Sequence, residues 1–303
     1  MKPVKEVWID GAFVPWDDAN VHILTQTLHY GMGVFEGIRC YETVRGSAIF
    51  RFREHMDRLY RSAHIVRIDP NIPQEELSGA IPDLIGRNSL SSCYIRPIIY
   101  LGLGEQGLAY HNAPVQTAAA VWEWGAYMGD EGVKDGIRVK VSSFTHHPVN
   151  STMLKSKTCG NYVVSMMARM EALQDGYDEA LMLDPGGMVA QGPGENVFIV
   201  RNGILKTPSL AGVLEGITRD SVMRLAEAEG LEVREEPFAR DDLYIADEAF
   251  FVGTAVEVTP IREVDNRTIG SGRPGPVTQR LQEAFFRVVR GEDGVYDHWL
   301  TPV

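Results

Sequence analysis

Two lysines in one loop are the residues of this sequence best suited to covalent chemistry. Lys157 precedes Thr158-Cys159-Gly160-Asn161-Tyr162, where a helix is predicted to begin, and Lys155 lies two residues upstream. The positive end of a helix dipole and its free N–H groups disfavour the ammonium form of a nearby lysine, and a neutral amine is a nucleophile. A solvated loop lysine is the ordinary alternative, and local chemistry does not separate Lys157 from Lys155.

A carboxylate follows a tight turn further along the chain. Gln191-Gly192-Pro193-Gly194 leads to Glu195 at the start of an apolar strand, in which Glu195, Val197 and Ile199 share one face. Burial of a carboxylate is costly unless a cation pairs with it. A protonated nitrogen of an aromatic ring would be such a cation, whereas a solvated glutamate at a strand end is the alternative.

Two segments are suited to binding a phosphate group. Leu214-Glu215-Gly216-Ile217-Thr218-Arg219-Asp220 places a glycine and a threonine at a predicted helix start, where backbone N–H groups can receive an anion. Gly253-Thr254-Ala255 interrupts a strand with small residues and allows close backbone approach. Arg58 could add a bidentate contact. The alternatives are a threonine that only caps a helix and an i,i+4 ion pair between Arg58 and Glu54.

Aromatic residues beside an arginine indicate a pocket for an apolar group and a carboxylate. In the predicted strand Tyr94-Ile95-Arg96-Pro97, alternation places Tyr94 and Arg96 on one face, and Phe35 and Gly37 likewise share a face of theirs. A sheet face with a snorkelling arginine is the alternative. His146 and His147 are adjacent and point apart in an extended chain, so we interpret them as loop residues and predict no metal site.

The elements that must position these residues mix strands and helices without a regular βαβ rhythm, which predicts an α+β fold. Asn202-Gly203 marks a type I′ hairpin turn. We predict a buried stripe of Val163, Met166, Met170 and Leu173 on the helix that begins near Asn161. The predicted strands cover residues 6–10, 12–16, 33–41, 48–52, 92–100, 117–122, 137–143, 197–200, 204–205, 249–252 and 256–261. One predicted helix begins at residue 54, one begins near 161 and ends at the capping residue Gly176, and the others cover 74–88, 218–229 and 277–289.

The length of 303 residues allows two domains, each with its own core. The glycine-rich segment 124–136 lacks apolar periodicity and is charged at its far end, so we interpret it as the connection between them. The expected division is a small domain over residues 1–123 and a larger domain over residues 137–303.

Composition excludes several classes of protein. The net charge of −12 disfavours a nucleic-acid partner. No apolar run approaches the roughly 20 residues of a membrane span, and the N-terminus carries no apolar signal core. The three cysteines are odd in number, widely spaced and without a CxxC pair, which disfavours disulfides or structural zinc and favours a reducing, cytoplasmic location.

Taken together, the motifs resemble the fold-type IV pyridoxal 5′-phosphate (PLP) enzymes, and within them the branched-chain amino acid aminotransferases. They occur in the family's order and spacing over nearly the whole chain. The stretches that carry the resemblance are Leu28-His29-Tyr30-Gly31, Val34-Phe35-Glu36-Gly37-Ile38-Arg39, Phe52-Arg53-Glu54-His55-Met56-Asp57-Arg58-Leu59, Tyr94-Ile95-Arg96-Pro97, Lys157-Thr158-Cys159-Gly160-Asn161-Tyr162, Gly192-Pro193-Gly194-Glu195-Asn196, Gly216-Ile217-Thr218-Arg219 and Gly253-Thr254-Ala255.

The resemblance implies a small N-terminal α/β sandwich, a larger C-terminal pseudo-barrel domain, and a role in branched-chain amino acid biosynthesis. It selects Lys157 as the Schiff-base lysine, which also moves the α-proton. It implies that Tyr162 bonds the cofactor's phenolic oxygen and that Glu195 pairs with its ring nitrogen. The implied phosphate ligands are Arg58, Ile217, Thr218 and Thr254, and the implied substrate residues are Tyr30, Phe35, Gly37, Tyr94, Arg96, Trp124, Tyr127, Thr254 and Ala255.

The implied reaction is a ping-pong transamination between leucine, isoleucine or valine and 2-oxoglutarate, giving branched-chain 2-oxo acids and L-glutamate. The partners are amino acids and 2-oxo acids. The resemblance also implies at least a homodimer, with Tyr30 reaching a neighbouring subunit, and leaves a trimer of dimers open. The alternatives are a relative acting on D-amino acids, amines or aminodeoxychorismate, and a non-catalytic phosphate- or PLP-binding module.

Three features depart from the family pattern. Gln191 stands where an acidic residue or serine is more usual, and Pro193 where a small residue is usual. The loop Thr145-His146-His147-Pro148 lacks the arginine often found there. These departures concern the fine positioning of Glu195 and the contacts of the loop.

Overall fold

The computed structural model describes residues 2–105 and 107–303, which form helices and strands in both halves of the chain. The helices are α1 Gln26–Tyr30, α2 Phe52–Ile65, α3 Gln74–Arg87, α4 Gly129–Asp135, α5 Tyr162–Gln174, α6 Ile217–Ala228, α7 Arg240–Tyr244 and α8 Pro276–Val289. The strands are β1 Glu6–Ile9, β2 Ala12–Pro15, β3 Gly33–Phe35, β4 Ile38–Thr43, β5 Gly46–Phe50, β6 Cys93–Leu101, β7 Val115–Trp122, β8 Ile137–Val141, β9 Glu179–Leu183, β10 Val189–Gln191, β11 Asn196–Arg201, β12 Ile204–Thr207, β13 Glu232–Glu235, β14 Glu248–Gly253, β15 Glu257–Val264, β16 Arg267–Thr268 and β17 Leu300–Pro302.

The chain divides into two compact units, each assembled from separate stretches. Unit 1 contains the chain up to Trp124, the short stretch Lys155–Asn161 and the C-terminal stretch Val288–Val303. Unit 2 contains Gly125–Leu154 and Tyr162–Arg287. Lys157 therefore belongs to unit 1, although the stretches that flank Lys155–Asn161 in sequence belong to unit 2.

Unit 1 is built on a sheet in which the strand order is β17-β5-β4-β6-β7-β1-β2, with β3 also paired to β6. Helices α2 and α3 pack against this sheet, because both carry an apolar stripe at helical spacing. Met56 and Leu59 of α2 and Ile81 and Leu84 of α3 are buried in the same core as Ile38 of β4.

Unit 2 is built on a second, curled sheet in the order β10-β9-β8-β15-β14-β11-β12-β13, with β16 paired to β15. The sheet is mixed, since β8 runs parallel to both β9 and β15 whereas β11 and β14 are antiparallel. Its core includes Val197 and Ile199 of β11 and Phe251 of β14. Within residues 2–105 and 107–303, none of the helices combines the length and apolar character that a bilayer crossing needs.

The α+β prediction is confirmed, and so are the features that depend on local signals. The helix predicted over 74–88 is α3, and the helix predicted over 277–289 is α8. The predicted hairpin is the β11–β12 pair. At its turn Asn202 has φ of 51° and Gly203 has φ of 77°, as a type I′ turn requires.

The predicted burial of the α5 stripe is wrong. Val163, Met166, Met170 and Leu173 do share one face, but that face is exposed, with Val163 at 61% and Met166 at 67% of full exposure. The buried residues of α5 are the small ones, including Ala168 and Ala172. Small side chains let the helix backbone lie close to β9, so periodicity identified a face of the helix but not which face packs.

The strand predicted over residues 33–41 is interrupted at Glu36 and Gly37, giving β3 and β4. Both pieces pair with β6. A side chain at Gly37 would overlap the hydroxyl group of Tyr94, which lies in the space that a Cβ would occupy. The segment 124–136, predicted to connect the two domains, contains the short helix α4.

Candidate active site

Backbone contacts fix the Lys157 stretch within unit 1. The backbone N–H of Lys157 donates to Ser62 Oγ at 3.1 Å, and its carbonyl accepts from the N–H of Phe35 at 3.1 Å. The N–H of Gly160 donates to the carbonyl of Gly31 at 2.9 Å. The Nζ atom of Lys157 lies 5.0 Å from the centroid of the Phe35 ring. The lysine and one predicted pocket residue are therefore neighbours within unit 1.

Arg58, a predicted phosphate ligand, belongs to a buried ion cluster that the sequence did not reveal. Its Nε and Nη2 atoms donate to the two carboxylate oxygens of Glu36, at 2.6 and 2.8 Å. The ring Nδ1 of His55 lies 2.8 Å from the same carboxylate. Burial alone would raise the pKa of Glu36, but Arg58 and His55 hold it well below its usual range. Glu36 therefore binds the edge of the Arg58 guanidinium that carries Nε and Nη2. Glu54, the expected alternative partner of Arg58, pairs instead with Arg51.

Arg96 is surrounded by aromatic rings rather than by carboxylates. Its guanidinium carbon lies 4.8 Å from the centroid of Phe35, 5.4 Å from that of Tyr94 and 5.8 Å from that of Trp122. Trp124 meets Tyr94 edge to face at 4.5 Å between centroids. The structure thus brings together four predicted pocket residues, and Trp122, which the sequence prediction missed, packs behind them against Tyr94 and Arg96. Tyr30, at the end of α1, is 49% exposed.

Glu195 lies in a buried cluster of charges in unit 2. Its Oε2 accepts a hydrogen bond from the N–H of Gly194 at 2.7 Å, whereas its Oε1 is buried without a donor among the described residues. Glu179, fully buried on β9, accepts a hydrogen bond from Arg169 at 2.9 Å. The guanidinium of Arg169 stacks 4.3 Å from the ring centroid of Tyr127. Burial raises the pKa of Glu195 well above its usual value, and the neighbouring charge of Glu179 raises it further.

The charges of this cluster do not balance. Two buried carboxyl groups face the single guanidinium of Arg169, and burial also raises the pKa of Glu179 even though Arg169 opposes that shift. A proton shared between the two carboxyls, or a cation supplied by a ligand, would restore neutrality and satisfy Oε1 of Glu195. The cluster is therefore suited to a positively charged group.

The backbone turn before Glu195 brings Gly192 close to the Glu195 side chain. The N–H of Gly192 donates to the carbonyl of Glu195 at 2.8 Å, and a Cβ at Gly192 would lie 2.7 Å from Oε1 of Glu195. The side chain of the unusual residue Gln191 bonds in another direction, since its Oε1 accepts from the N–H of Leu214 at 3.3 Å. Gln191 thus connects this turn to the segment that leads into α6.

The two predicted phosphate segments lie near Glu195 in unit 2. Ile217 and Thr218 are the first residues of α6 and are buried, with Gly216 as the residue before the helix. Thr254 and Ala255 form the turn between β14 and β15. A Cβ at the preceding glycine would be 3.4 Å from the Cβ of Glu195. Both segments present backbone where an anion can approach.

Tyr162 and Arg219 each lie at the start of a helix in unit 2. Tyr162 is the first residue of α5. Arg219, part of the helix-start motif, is buried and donates to the carbonyl of Pro208 and to Glu235, so it stabilises the start of α6. Among the described residues no group of three or more His, Cys, Asp and Glu side chains could hold a metal ion.

Comparison with known proteins places these features in a family. A family model described as amino-transferase class IV matches residues 33–264. The chain is 50% identical over 297 residues to the branched-chain-amino-acid aminotransferase of Pseudomonas aeruginosa, and the match covers 98% of this chain and 97% of that protein. It is 44% identical to the enzyme of the same name from Escherichia coli K12, with coverage of 100% and 98%.

Solved structures show the same similarity. A T.th. branched-chain amino acid aminotransferase, solved with pyridoxamine 5′-phosphate, has a TM-score of 0.97 and 46% identity, covering 100% of this chain and 99% of that one. The Escherichia coli enzyme has a TM-score of 0.96 and 43% identity, covering 98% and 99%. The predicted fold type is thereby confirmed.

Proposed function

Because the chain belongs to the class IV aminotransferases, we propose that it transfers the amino group between L-leucine, L-isoleucine or L-valine and 2-oxoglutarate. The chain is a PLP-dependent aminotransferase. The identity of its relatives supports the branched-chain substrates. The structural observation that carries the assignment is the aromatic wall of Phe35, Tyr94 and Trp124 beside Arg96, since it offers both an apolar surface and a cation.

The residues of the chain fit the cofactor. Oε1 of Glu195 is a buried acceptor that lacks a donor among the described residues, and a protonated ring nitrogen would supply one. The start of α6 and the turn after β14 present backbone to an anion. We assign Lys157 to the cofactor's aldehyde, Tyr162 to its phenolic oxygen and Glu195 to its ring nitrogen. The proposed phosphate ligands are Arg58, Ile217, Thr218 and Thr254.

PLP, when bound, supplies an aldehyde carbon that condenses with amines and a ring that withdraws electrons. The amine of Lys157 accepts the proton from Cα of the amino acid and acts as general acid and base. Glu195 holds the proton of the ring nitrogen, because a buried anion stabilises a nearby cation. The 2-oxo acid product and the second substrate, 2-oxoglutarate, occupy the same residues in turn.

Substrate side chains are proposed to meet the aromatic wall of unit 1. An apolar branched chain gains by leaving water against these rings, which also exclude water from the reacting atoms. Arg96 binds the second carboxylate when glutamate or 2-oxoglutarate occupies the site. The proposed substrate residues are Tyr30, Phe35, Gly37, Tyr94, Arg96, Trp124, Tyr127, Thr254 and Ala255.

Two lysine variants test the site. Reduction of the holoenzyme with borohydride should fix the cofactor onto the peptide that contains Lys157, and Lys157→Ala should abolish transamination. The matched control Lys155→Ala should keep both the label and the activity. A label on Lys155, or activity retained in Lys157→Ala, would overturn the assignment.

A substrate panel tests the reaction. L-leucine, L-isoleucine and L-valine should each yield L-glutamate from 2-oxoglutarate, whereas D-alanine and 1-phenylethylamine should not. Turnover of D-alanine or of the amine without turnover of the branched substrates would assign the chain to another member of the class. Colourless protein that gains no absorbance on addition of PLP would contradict the cofactor assignment.

Homodimerisation is the second proposal. The apolar face of α5 in unit 2 is exposed, and so are the side chains of Val21, Ile23 and Leu28 in unit 1. Exposed apolar side chains that lie together mark surfaces that bind another protein chain, which supports association with a second copy. Size-exclusion chromatography with light scattering should give at least a dimer, and Met166→Glu should weaken it. A monodisperse monomer would contradict the proposal.

Cys40 and Cys93, buried free thiols opposite each other on β4 and β6, support a reducing, cytoplasmic location.

A further inference from the structure

Arg96 is a cation whose hydrogen-bonding groups are not taken by a carboxylate of the described chain. Its Nε is buried and has no hydrogen-bond partner among the described residues. Arg96 also borders a cavity of about 280 Å³ that Ile98 and Tyr100 of the same strand line as well. Within the described chain, Arg96 is the one charged residue that lines this cavity. Arg96 is half-buried, and a partly desolvated guanidinium without an anion is costly unless other groups stabilise it.

The stabilising groups are aromatic faces. Phe35, Tyr94 and Trp122 surround the guanidinium carbon, with ring centroids at 4.8, 5.4 and 5.8 Å. Cation–π attraction holds a guanidinium in place through the ring quadrupole. Unlike a carboxylate partner, a ring face does not neutralise the charge, so the N–H donors and the charge remain available to a ligand.

Strand register explains how Trp122 reaches Arg96. In the β6–β7 pair, Arg96 lies opposite Ala120, and Tyr94 lies opposite Trp122. Trp122 is therefore the diagonal neighbour of Arg96 on one face, a separation that long and aromatic side chains can span. The small Ala120 leaves room for the guanidinium to extend towards the Trp122 ring. Trp122 also packs on Tyr94 at 5.1 Å between centroids, so its own ring is held.

We propose that Trp122 is a positioning residue that holds the Arg96 guanidinium ready for the second carboxylate of a dicarboxylate substrate. This inference rests on the proposed function, in which glutamate and 2-oxoglutarate alternate with apolar branched substrates. Trp122 acts only when a second carboxylate is present, because an apolar side chain does not use the charge of Arg96. Trp122 thereby affects the binding of dicarboxylate substrates and not the binding of apolar branched substrates.

The test separates the two half-reactions of the PLP holoenzyme. Single-turnover absorbance measurements follow the amine form reacting with 2-oxoglutarate, and in parallel with 4-methyl-2-oxopentanoate. Loss of one ring face in Trp122→Leu should raise the apparent dissociation constant of 2-oxoglutarate about 3- to 30-fold. The constant for 4-methyl-2-oxopentanoate should change less than about twofold, because that substrate does not engage the Arg96 charge. The limiting rate with saturating 2-oxoglutarate should be retained.

A direct binding readout accompanies the kinetics. Inhibition by glutarate, a dicarboxylate, should weaken in Trp122→Leu, whereas inhibition by 4-methylpentanoate should not. Trp122→Phe keeps a ring face at this position and should recover most of the glutarate affinity. If Trp122→Leu does not fold, Trp122→Met, which also lacks a ring, replaces it. Equal losses for dicarboxylate and monocarboxylate ligands in the variant without a ring would overturn the inference. Wild-type protein inactive with both leucine and 2-oxoglutarate would instead refute the proposed function.

Discussion

Replacement of Glu36 by Gln should destabilise unit 1 strongly. Glu36 is fully buried, and its carboxylate accepts hydrogen bonds from Arg58 at 2.6 and 2.8 Å and from the backbone N–H of Gly37 at 3.2 Å, with Nδ1 of His55 2.8 Å away. Glutamine keeps the shape but removes the charge, so the buried guanidinium of Arg58 loses its ion pair with Glu36. Breaking such a pair from one side costs about 3–5 kcal/mol in free energy of unfolding.

An exposed pair provides the matched control. Arg45 and Asp297 also form an ion pair in unit 1, but their side chains are 53% and 42% exposed. Solvent screens this pair, so Asp297→Asn should have only a small effect on the free energy of unfolding. The same change from acid to amide thus has a large effect at one site and a small effect at the other, and burial is the reason for the difference.

Tryptophan fluorescence during urea unfolding measures the effect in the correct unit. All five tryptophans of the chain lie in the stretches that form unit 1, at positions 8, 16, 122, 124 and 299. The cofactor-free protein is used, because bound ligand adds to apparent stability. With a slope of about 2 kcal/mol per M urea, Glu36→Gln should lower the midpoint by about 1.5–2.5 M.

The pH dependence gives a second signature. The folded pKa of Glu36 is depressed, so its contribution is complete above the unfolded value of about 4.3 and is lost as pH falls towards the folded pKa. Wild type and Glu36→Gln should therefore converge in stability below about pH 4. A difference at pH 7.5 of under about 1 kcal/mol, comparable to that of Asp297→Asn, would refute the argument from burial.

Three further changes have expected outcomes. Glu195→Gln should raise the thermal midpoint of the cofactor-free protein at pH 8. Burial and then Glu179 raise the pKa of Glu195, and ionisation of a carboxyl group with a raised pKa destabilises the folded protein as pH rises through the folded pKa. The same variant should weaken PLP binding. Gly270→Ala should destabilise unit 2 by about 2 kcal/mol or more, measured by circular dichroism in urea, because Gly270 has φ of 52° and its Cβ would overlap the Asp247 carbonyl. The rate of Cys159 alkylation by iodoacetamide should rise with pH and reach half of its maximum near pH 11, because burial raises the pKa of the thiol to about 11.

Each of these outcomes has a control. The stability gained in Glu195→Gln should shrink as pH falls below about 5, and a gain independent of pH would contradict the charge argument. Gly212→Ala, where a Cβ meets nothing within 4 Å, should change stability by less than about 0.5 kcal/mol. Rapid alkylation of Cys159 at about pH 8, compared with free cysteine, would show that its thiol is not held neutral.

Features encoded by neighbouring residues were predictable. Helices α3 and α8 and the β11–β12 hairpin lie where apolar spacing and the Asn202-Gly203 turn indicated. The α5 helix was also predicted near its observed position, but its exposed apolar face was predicted to be buried. Helical period identifies residues on a common face, whereas burial depends on which other element packs there.

Contacts between distant parts of the chain were not predictable. Glu36 and Arg58 are 22 residues apart, and no local signal pairs them or links either to His55. Trp122 reaches Arg96 only because register places it diagonally across the β6–β7 pair. Both arrangements require a folded sheet with a helix packed on it, and many other pairings of the same charges and rings are compatible with the sequence.

The sequence by itself determined the class of chemistry, because the lysine, glutamate and phosphate-binding motifs occur together in one order. The tertiary structure decided the surroundings of each group. It placed Lys157 in unit 1 through bonds to Ser62 and Phe35, and it buried Glu195 beside Glu179 with no donor to Oε1 among the described residues. Residue types and spacing are local properties of a chain, whereas burial and charge balance arise only when distant segments exclude water together.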